Sequence, residues 1–292
     1  MHTMSTGLER AAGNRMRRIM ERVTGNLFKS VILGAVVAAL TQSSSATTVM
    51  VVGFVNAGIL NLSQAVGIIM GANIGTTITA WLLSLNDIPG GVWYLELIKP
   101  NTLAPLALVI GAFMLLFCSN KKKIVVGEFV IGLGILFIGM EYMSDSMETV
   151  FNLVPSLQNL FAGDSNPFVG VLIGTGVTAI IQSSAASVGM LQAIASTTAL
   201  SFNAAFPIIM GQNIGTCVTA LLSSIGTSRN AKRAAMIHLY FNIIGTIIFM
   251  TVIYLLQFCI GLPFWYSSVR AVDISIFHSV FNVCTTLLLL PF

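Results

Sequence analysis

The chain contains one segment twice. Shifted by 140 positions, Thr41–Leu85 lies over Ile181–Ile225 without a gap, and about 19 of the 45 aligned pairs are identical. Two unrelated apolar stretches would match at roughly four pairs, so the likeness is an internal repeat. The identities gather in two places. Gln42-Ser43-Ser44 answers Gln182-Ser183-Ser184, and Asn73-Ile74-Gly75-Thr76 answers Asn213-Ile214-Gly215-Thr216. With a one-residue slip the likeness extends upstream, where Met1, Met4, Ser5 and Glu9 answer Met140, Met143, Ser144 and Glu148. An apolar helix over 124–139 precedes this point in the second copy only. The expectation is that the first copy lacks a leading helix, or that the copies are unequal. The two units are taken as residues 1–140 and 141–292, each with its connecting helices.

Charged residues make up 8% of the 292 residues and hydrophobic ones 55%. A soluble domain carries about a quarter charged residues, so this chain lacks the polar material for a water-facing surface. The apolar runs Leu103–Cys118, Ile124–Met140, Ala234–Leu256 and Ile274–Leu290 approach the roughly 20 residues that a helix needs to cross a bilayer. The fold class is therefore an all-α polytopic membrane protein. The net charge of +4 reads as loop charge that orients the spans, and no nucleic-acid partner is expected. Cys118, Cys217, Cys259 and Cys284 show no CxxC spacing and read as spectator thiols. The first 29 residues are polar and basic, unlike a signal peptide.

Equivalent parts of the two copies carry opposite charge. Arg10, Arg15, Arg17, Arg18 and Arg22 precede the first Gln-Ser-Ser, while Asp145, Glu148 and Asp164 precede the second. After the Asn-Ile-Gly-Thr elements the pattern reverses, with Asp87 and Glu96 against Arg229, Lys232 and Arg233. By the positive-inside rule the copies have opposite topology. Placing the N-terminal arm, a Lys121–Lys123 loop and Arg229–Arg233 inside puts 12 of the 14 basic residues there, leaving Lys99 and Arg270 outside. The N-terminal arm and C-terminus are then cytoplasmic. Leu62–Leu85, Leu103–Cys118 and Ile124–Met140 give the three crossings that inversion requires, and Ala234–Leu256 and Ile274–Leu290 complete the chain. Phe28–Leu60 and Phe168–Leu200 each carry a polar island near the centre. Their arms of about 14 residues are too short to span, so both read as re-entrant hairpins or broken helices.

The first island packs Gln42, Ser43, Ser44, Ser45, Thr47 and Thr48 into seven positions, and the second brings Gln182, Ser183, Ser184 and Ser187. One such side chain would be interhelical glue. A cluster repeated in inverted copies points to the central site of a secondary transporter. Hydroxyls, amide oxygens and freed carbonyls suit a small hard cation. The same hydroxyls, amide NH2 groups and helix N-termini donate to an anion. Neither island holds an ionisable side chain, which favours coupling to a cation over a proton relay. Asn73, Thr76 and Thr77, with Asn213 and Thr216, read as an unwound binding segment, and Gly67 and Gly71 as close helix packing. His238 and His278, in matching His-x-x-Phe-Asn motifs with Asn242 and Asn282, read as buried structural hydrogen bonds rather than catalytic or metal-binding groups.

These residues resemble the type II sodium-dependent phosphate cotransporters, above all their bacterial members. The resemblance rests on TQSSSATTVMVVGFVNAG and GANIGTT in the first copy, IQSSAAS and GQNIGT in the second, and the His-x-x-Phe-Asn segments. It implies sodium-coupled phosphate symport by alternating access in a cell membrane (the inner membrane if the source is a bacterium), with QSSS-bearing hairpins forming the phosphate and sodium sites. Position by position it nominates Gln42, Ser43, Ser44 and Ser45, with Gln182, Ser183 and Ser184. Ala185 stands where the pattern has its third serine. No cofactor beyond sodium as coupling ion is expected. Bacterial relatives often continue into a cytosolic domain resembling the phosphate-regulatory protein PhoU, here beyond Phe292. The alternatives are a sodium-coupled carrier of another oxyanion or a dicarboxylate, and an anion channel, for which no basic ring is visible. A membrane enzyme lacks any catalytic constellation within the spans.

Overall fold

The computed structural model describes residues 26–87, 100–154, 166–197 and 200–291, and these are helical almost throughout. The arginine-rich arm, the upstream part of the repeat in its first copy, and the positions of Glu96, Lys99, Asp164 and Phe292 lie outside the described residues. The first copy comprises α1 (Leu27–Thr41), α2 (Ser44–Asn56) and α3 (Leu62–Leu83). Two connecting helices follow, α4 (Pro100–Phe117) and α5 (Lys121–Leu153). The second copy comprises α6 (Pro167–Ile181), α7 (Ser184–Thr197), α8 (Phe202–Gly215) and α9 (Cys217–Ser223), and α10 (Arg229–Ile260) and α11 (Ala271–Leu289) close the chain. The 140-residue shift thus carries α1 onto α6 and α3 onto α8 plus α9, residue for residue. Even the caps match: Asn26 Oδ1 accepts from Phe28 N at 2.8 Å, and Asn166 Oδ1 from Phe168 N at 3.0 Å, each satisfying an orphan N–H of a first helical turn.

Glycine sets how each hairpin is seated. Gly67 lies against Leu27 and Ser30, Gly71 against Val31 and Ala35, and Gly75 against Ala35 and Ala38. The numbers rise together, so α1 and α3 run parallel, backbone on backbone. Gly211 on Val171 and Thr175, and Gly215 on Thr175 and Thr178, repeat this between α6 and α8. A Cβ at Gly71 or Gly211 would collide with a carbonyl of the facing helix. For α3 to start beside the start of α1, the intervening α2 must run back. Each copy is therefore a helical hairpin followed by one long helix. Arms of 15 and 13 residues reach about 20–22 Å, less than the roughly 30 Å hydrocarbon core.

The two copies run in opposite directions. Ser228, which caps α10, donates its N–H to Asn56 Oδ1 at 2.8 Å, and ten residues on His238 Nε2 meets Asn73 Oδ1 at 3.1 Å. So α10 is parallel to α3. Against α8 and α9 it is antiparallel, since Thr246 bonds Met210 O while the Cys217 thiol meets His238 O. Hence α3 and α8 oppose one another, as the charge pattern requires. Gly245 on Thr285 and Phe249 on Phe281 set α11 antiparallel to α10. Gly111 on Ile131 and Gly134 on Ala104 set α4 against α5 in the same sense.

Among the described residues, five helical stretches are long and apolar enough to cross a membrane: Leu62–Leu83, Lys121–Val150, Phe202–Ser223, Arg229–Ile260 and Ala271–Leu289. The outer faces are apolar and open. Phe28, Ile32, Val36 and Leu40 form a four-residue-spaced stripe on α1, each about half exposed. Such a stripe is a poor surface in water and a good one in lipid. The polar side chains lie inside instead, among them Gln42, Thr47, Thr48, Asn73, Ser187, Gln192 and Asn213. Among the described residues, no Asp, Glu, Lys or Arg is buried.

Three expectations are corrected. Lys121–Lys123 is not a loop but the first turn of α5, capped by Asn120. That helix runs past Met140 to Leu153, because Glu141, Tyr142 and Met143 keep helical propensity after the hydropathy falls. Its last turns carry Glu141, Asp145 and Glu148, all exposed. Nor is the first Asn-Ile-Gly-Thr unwound: α3 is continuous from Leu62 to Leu83. In the second copy the α-helix breaks only at Thr216, between α8 and α9.

Candidate functional site

Each island is the tip of a hairpin. Helix α1 ends at Thr41, Gln42 takes a left-handed conformation (φ 54°), and Ser43 is extended and caps α2. Gln182 does the same between α6 and α7, with φ 56°. Among the described residues these two glutamines are the only non-glycine positions with positive φ. A bulky side chain in that region carries strain of order 1–3 kcal/mol and marks functional turns. The C-terminal carbonyls of one arm and the N-terminal N–H groups of the other converge at each tip. A small cation and an anion can both find partners there.

The island residues divide by what they already hold. Ser43 Oγ accepts from Ala46 N at 3.1 Å and Ser183 Oγ from Ala186 N at 3.2 Å, so both shape the turn. Thr47 Oγ1 donates to Ser43 O and shares a 3.2 Å bond with Thr41 Oγ1. At the equivalent place Thr178 donates to Ser187 Oγ at 2.7 Å. These pairs brace the two arms. The buried hydroxyls of Ser44 and Thr48 have no hydrogen-bond partner, while Ser45 in the same tip and Ser184 in the second tip are also buried.

The second elements lie behind the tips. Asn73 is fully committed: Nδ2 donates to Ile69 O at 3.1 Å, and Oδ1 meets His238 Nε2. Asn213 repeats this with Ile209 O, and its Oδ1 meets His278 Nε2 at 3.2 Å and Asn282 Nδ2 at 3.3 Å. The two histidines are therefore buried structural partners, as read from the sequence. Thr77 and Thr216 bond carbonyls of their own helices, Ile74 O and Gln212 O. Thr76 touches the tip, accepting from Ser44 N at 3.2 Å.

Residues outside the predicted set also shape the site. Thr79 Oγ1 donates to Gln42 Oε1 at 2.7 Å, while Gln42 Nε2 donates to Ala39 O. Gln192 is fully buried and its Nε2 lies within 3.1 Å of Ala80 O, Ala271 O and Ser275 Oγ. It ties the second hairpin to the long helix of the first copy and to α11. Gln212 Nε2 donates to Ser187 O at 2.8 Å, beneath the second tip. The repeat alignment carries a signal for Thr79, which pairs with an identical Thr219. Gln192 faces Val52 and Gln212 faces Ala72 in that alignment, so neither has one.

The profile of the Na+/Pi-cotransporter family matches residues 1–145 and 152–271. The chain belongs to the Na+/Pi-cotransporter family. It is 28% identical over 292 residues to YqeW of Bacillus subtilis, covering the whole of this chain and 89% of that protein. The putative inorganic phosphate export protein YjbB of Escherichia coli is 28% identical over 295 residues, all of this chain but 51% of YjbB. Thus the chain spans about half the length of that relative. The human sodium-dependent phosphate transport protein 2B is 33% identical over 149 residues, 46% of this chain and 22% of that one. No solved structure matches the chain. The Na+/Pi-cotransporter family is a family of membrane transporters, which agrees with buried polar side chains held inside an apolar shell.

Proposed function

We propose that this family member carries inorganic phosphate together with sodium by alternating access, with the two hairpin tips as the binding elements. The reading is carried by the pair of inverted, left-handed Gln tips, each presenting helix N–H groups and carbonyls with no ionisable side chain in either island. Phosphate oxygens would take the N–H groups at the starts of α2 and α7, the Ser44 and Ser184 hydroxyls, and the glutamine NH2 groups. Sodium would take the carbonyls that end α1 and α6, glutamine Oε1, and the hydroxyls of Ser45 and Thr48. With no buried Lys or Arg among the described residues, the anion would be neutralised by its co-bound cations and the helix dipoles. Gln42, Ser44, Ser45, Thr48, Gln182 and Ser184 are the proposed ligands. Ser43, Thr47, Ser183 and Ser187 would hold the tips, and Asn73 and Asn213 the helices behind them. The N-terminal arm and the C-terminus would face the cytoplasm of a bacterial cell.

The names of the relatives support this reading, since one is a phosphate export protein and another a sodium-dependent phosphate transporter. The test is radiolabelled phosphate uptake into proteoliposomes. Uptake should require sodium, persist when a proton gradient is collapsed, and yield to arsenate but not succinate. Undiminished uptake with choline in place of sodium would reject the coupling.

A further inference from the structure

The repeat keeps the glutamine and two threonines of its tips in both copies, but not the hydrogen bonds among them. In the first copy the tip is fastened to the long helix twice, by Thr79 Oγ1 on Gln42 Oε1 at 2.7 Å and by Ser44 N on Thr76 Oγ1 at 3.2 Å. Gln42 is buried there, 6% exposed. The 140-residue shift places Thr219 at the position of Thr79, Thr216 at that of Thr76, and Gln182 at that of Gln42. Neither fastening exists in the second copy. Thr219 Oγ1 is buried without a partner, and the Thr216 hydroxyl is turned back onto Gln212 O at 2.8 Å. Gln182 is exposed, and among the described residues its amide has no protein partner.

A buried hydroxyl with nothing to bond is uncommon and calls for an explanation. Here the sequence supplies one, because the glutamine that would satisfy it sits unfastened at the neighbouring tip. The same backbone turn, the same threonine and the same glutamine are present in both copies, so the bond missing from one is the bond made in the other. We infer that Thr79 and Thr219 are paired positioning residues, each holding its glutamine in one state only: Thr79 on Gln42 as seen here, and Thr219 on Gln182 when the first tip is released.

This rests on the reading of the tips as the working ends of a transporter, and it assigns each end a lock. A fastened tip buries its glutamine and closes that approach to the site, and a released tip leaves its glutamine in the open. Two inverted copies with one lock made and one broken represent one half of an exchange, in which the second half mirrors the first.

The test uses the full chain in lipid nanodiscs, where both faces are open to reagent. The native cysteines are replaced (Cys217→Thr, the residue of the first copy at that place), and single reporters Ala46→Cys or Ala186→Cys are introduced in the first turns of α2 and α7. Reactivity toward a small water-soluble maleimide is then followed. Thr79→Val should speed labelling at the first tip and slow it at the second by about two- to tenfold, the population change that one net hydrogen bond commands. Thr219→Val should do the reverse, and Thr79→Ser and Thr219→Ser should restore the parent rates. The decisive variant is Thr219→Val. Its hydroxyl makes no hydrogen bond in the present state, so a merely structural role predicts no opposed shift at the two reporters.

Unchanged labelling at both reporters in Thr219→Val would overturn the proposal. Should Thr79→Val fail to insert, Thr219→Val and Thr79→Ser carry the comparison. Phosphate uptake keeps the two readings apart. Reciprocal labelling shifts without any phosphate uptake would leave the locks standing and remove the transport reading. Sodium-dependent uptake with labelling blind to Thr219 would do the opposite.

Discussion

His238 Nε2 lies 3.1 Å from Asn73 Oδ1, and His278 Nε2 makes the same contact with Asn213 Oδ1 at 3.2 Å. Each histidine belongs to a closing helix and each asparagine to the long helix of one repeat. The helix after the second copy grips the first copy, and the last helix grips the second. These two bonds join both repeats into one body.

Asn73→Ala would leave the buried His238 N–H without an acceptor, a loss of about 1–3 kcal/mol of stability. The denaturation midpoint in detergent should fall, while the Michaelis constants for phosphate and sodium stay close to those of the parent. Asn213→Ala should behave alike. A large rise in either Michaelis constant with an unaltered midpoint would move these asparagines into the binding site.

The glutamines should respond in the opposite way. Gln42→Ala and Gln182→Ala each remove an amide oxygen and an NH2 from a tip, and the loss of a polar partner that bound cargo would bury typically costs roughly five- to 150-fold in binding. Sodium-dependent uptake at subsaturating phosphate should fall by that factor in both, with normal membrane insertion. Ser45→Ala should be milder, because Ala185 already stands at the matching place. Normal uptake by both glutamine variants would return the tips to the role of interhelical glue.

Sidedness follows from the antiparallel repeats and the basic first turns of α5 and α10. Single cysteines at Asn86 and Asn166 should label from one side of sealed, oriented vesicles with an impermeant maleimide, and those at Lys122 and Lys232 from the other. Labelling of all four from one side would contradict opposed repeats.

Gly71→Ala and Gly211→Ala should prevent stable folding, since the added methyl meets the backbone carbonyl of Val31 or Val171 and neither can retreat. Overpacking of this kind costs about 1–3 kcal/mol or more. Gly53→Ala is the control. It sits within α2 with open space around it, and should gain roughly 0.5–1 kcal/mol of helix stability. Expression level and detergent melting separate the two cases.

Much of this was legible because repetition and hydropathy are both sequence properties. The shift that matches Gln42 to Gln182 also matches helix ends, and the charges that orient the copies agree with the directions of α3 and α8. What could not be read were features decided by packing. Asn73 and Gly75 look like a helix breaker beside a ligand, yet the glycine is there for the approach of α1 and the asparagine for His238. Gln192 has an apolar counterpart in Val52, and its role depends on Ala80 and Ser275, far away in sequence. The different fastening of the two tips is not visible in sequence either, since Gln42 and Thr79 have identical counterparts in Gln182 and Thr219.

The opposed orientation of the two repeats bears on the sign of the flux. Turned over in the membrane, the molecule presents nearly the same scaffold to each compartment, so neither compartment is privileged by the architecture. A carrier of this kind runs whichever way the summed electrochemical potentials of its cargo and coupling ion fall. Reversing the sodium gradient across the vesicle wall should then reverse the phosphate current without any change to the protein.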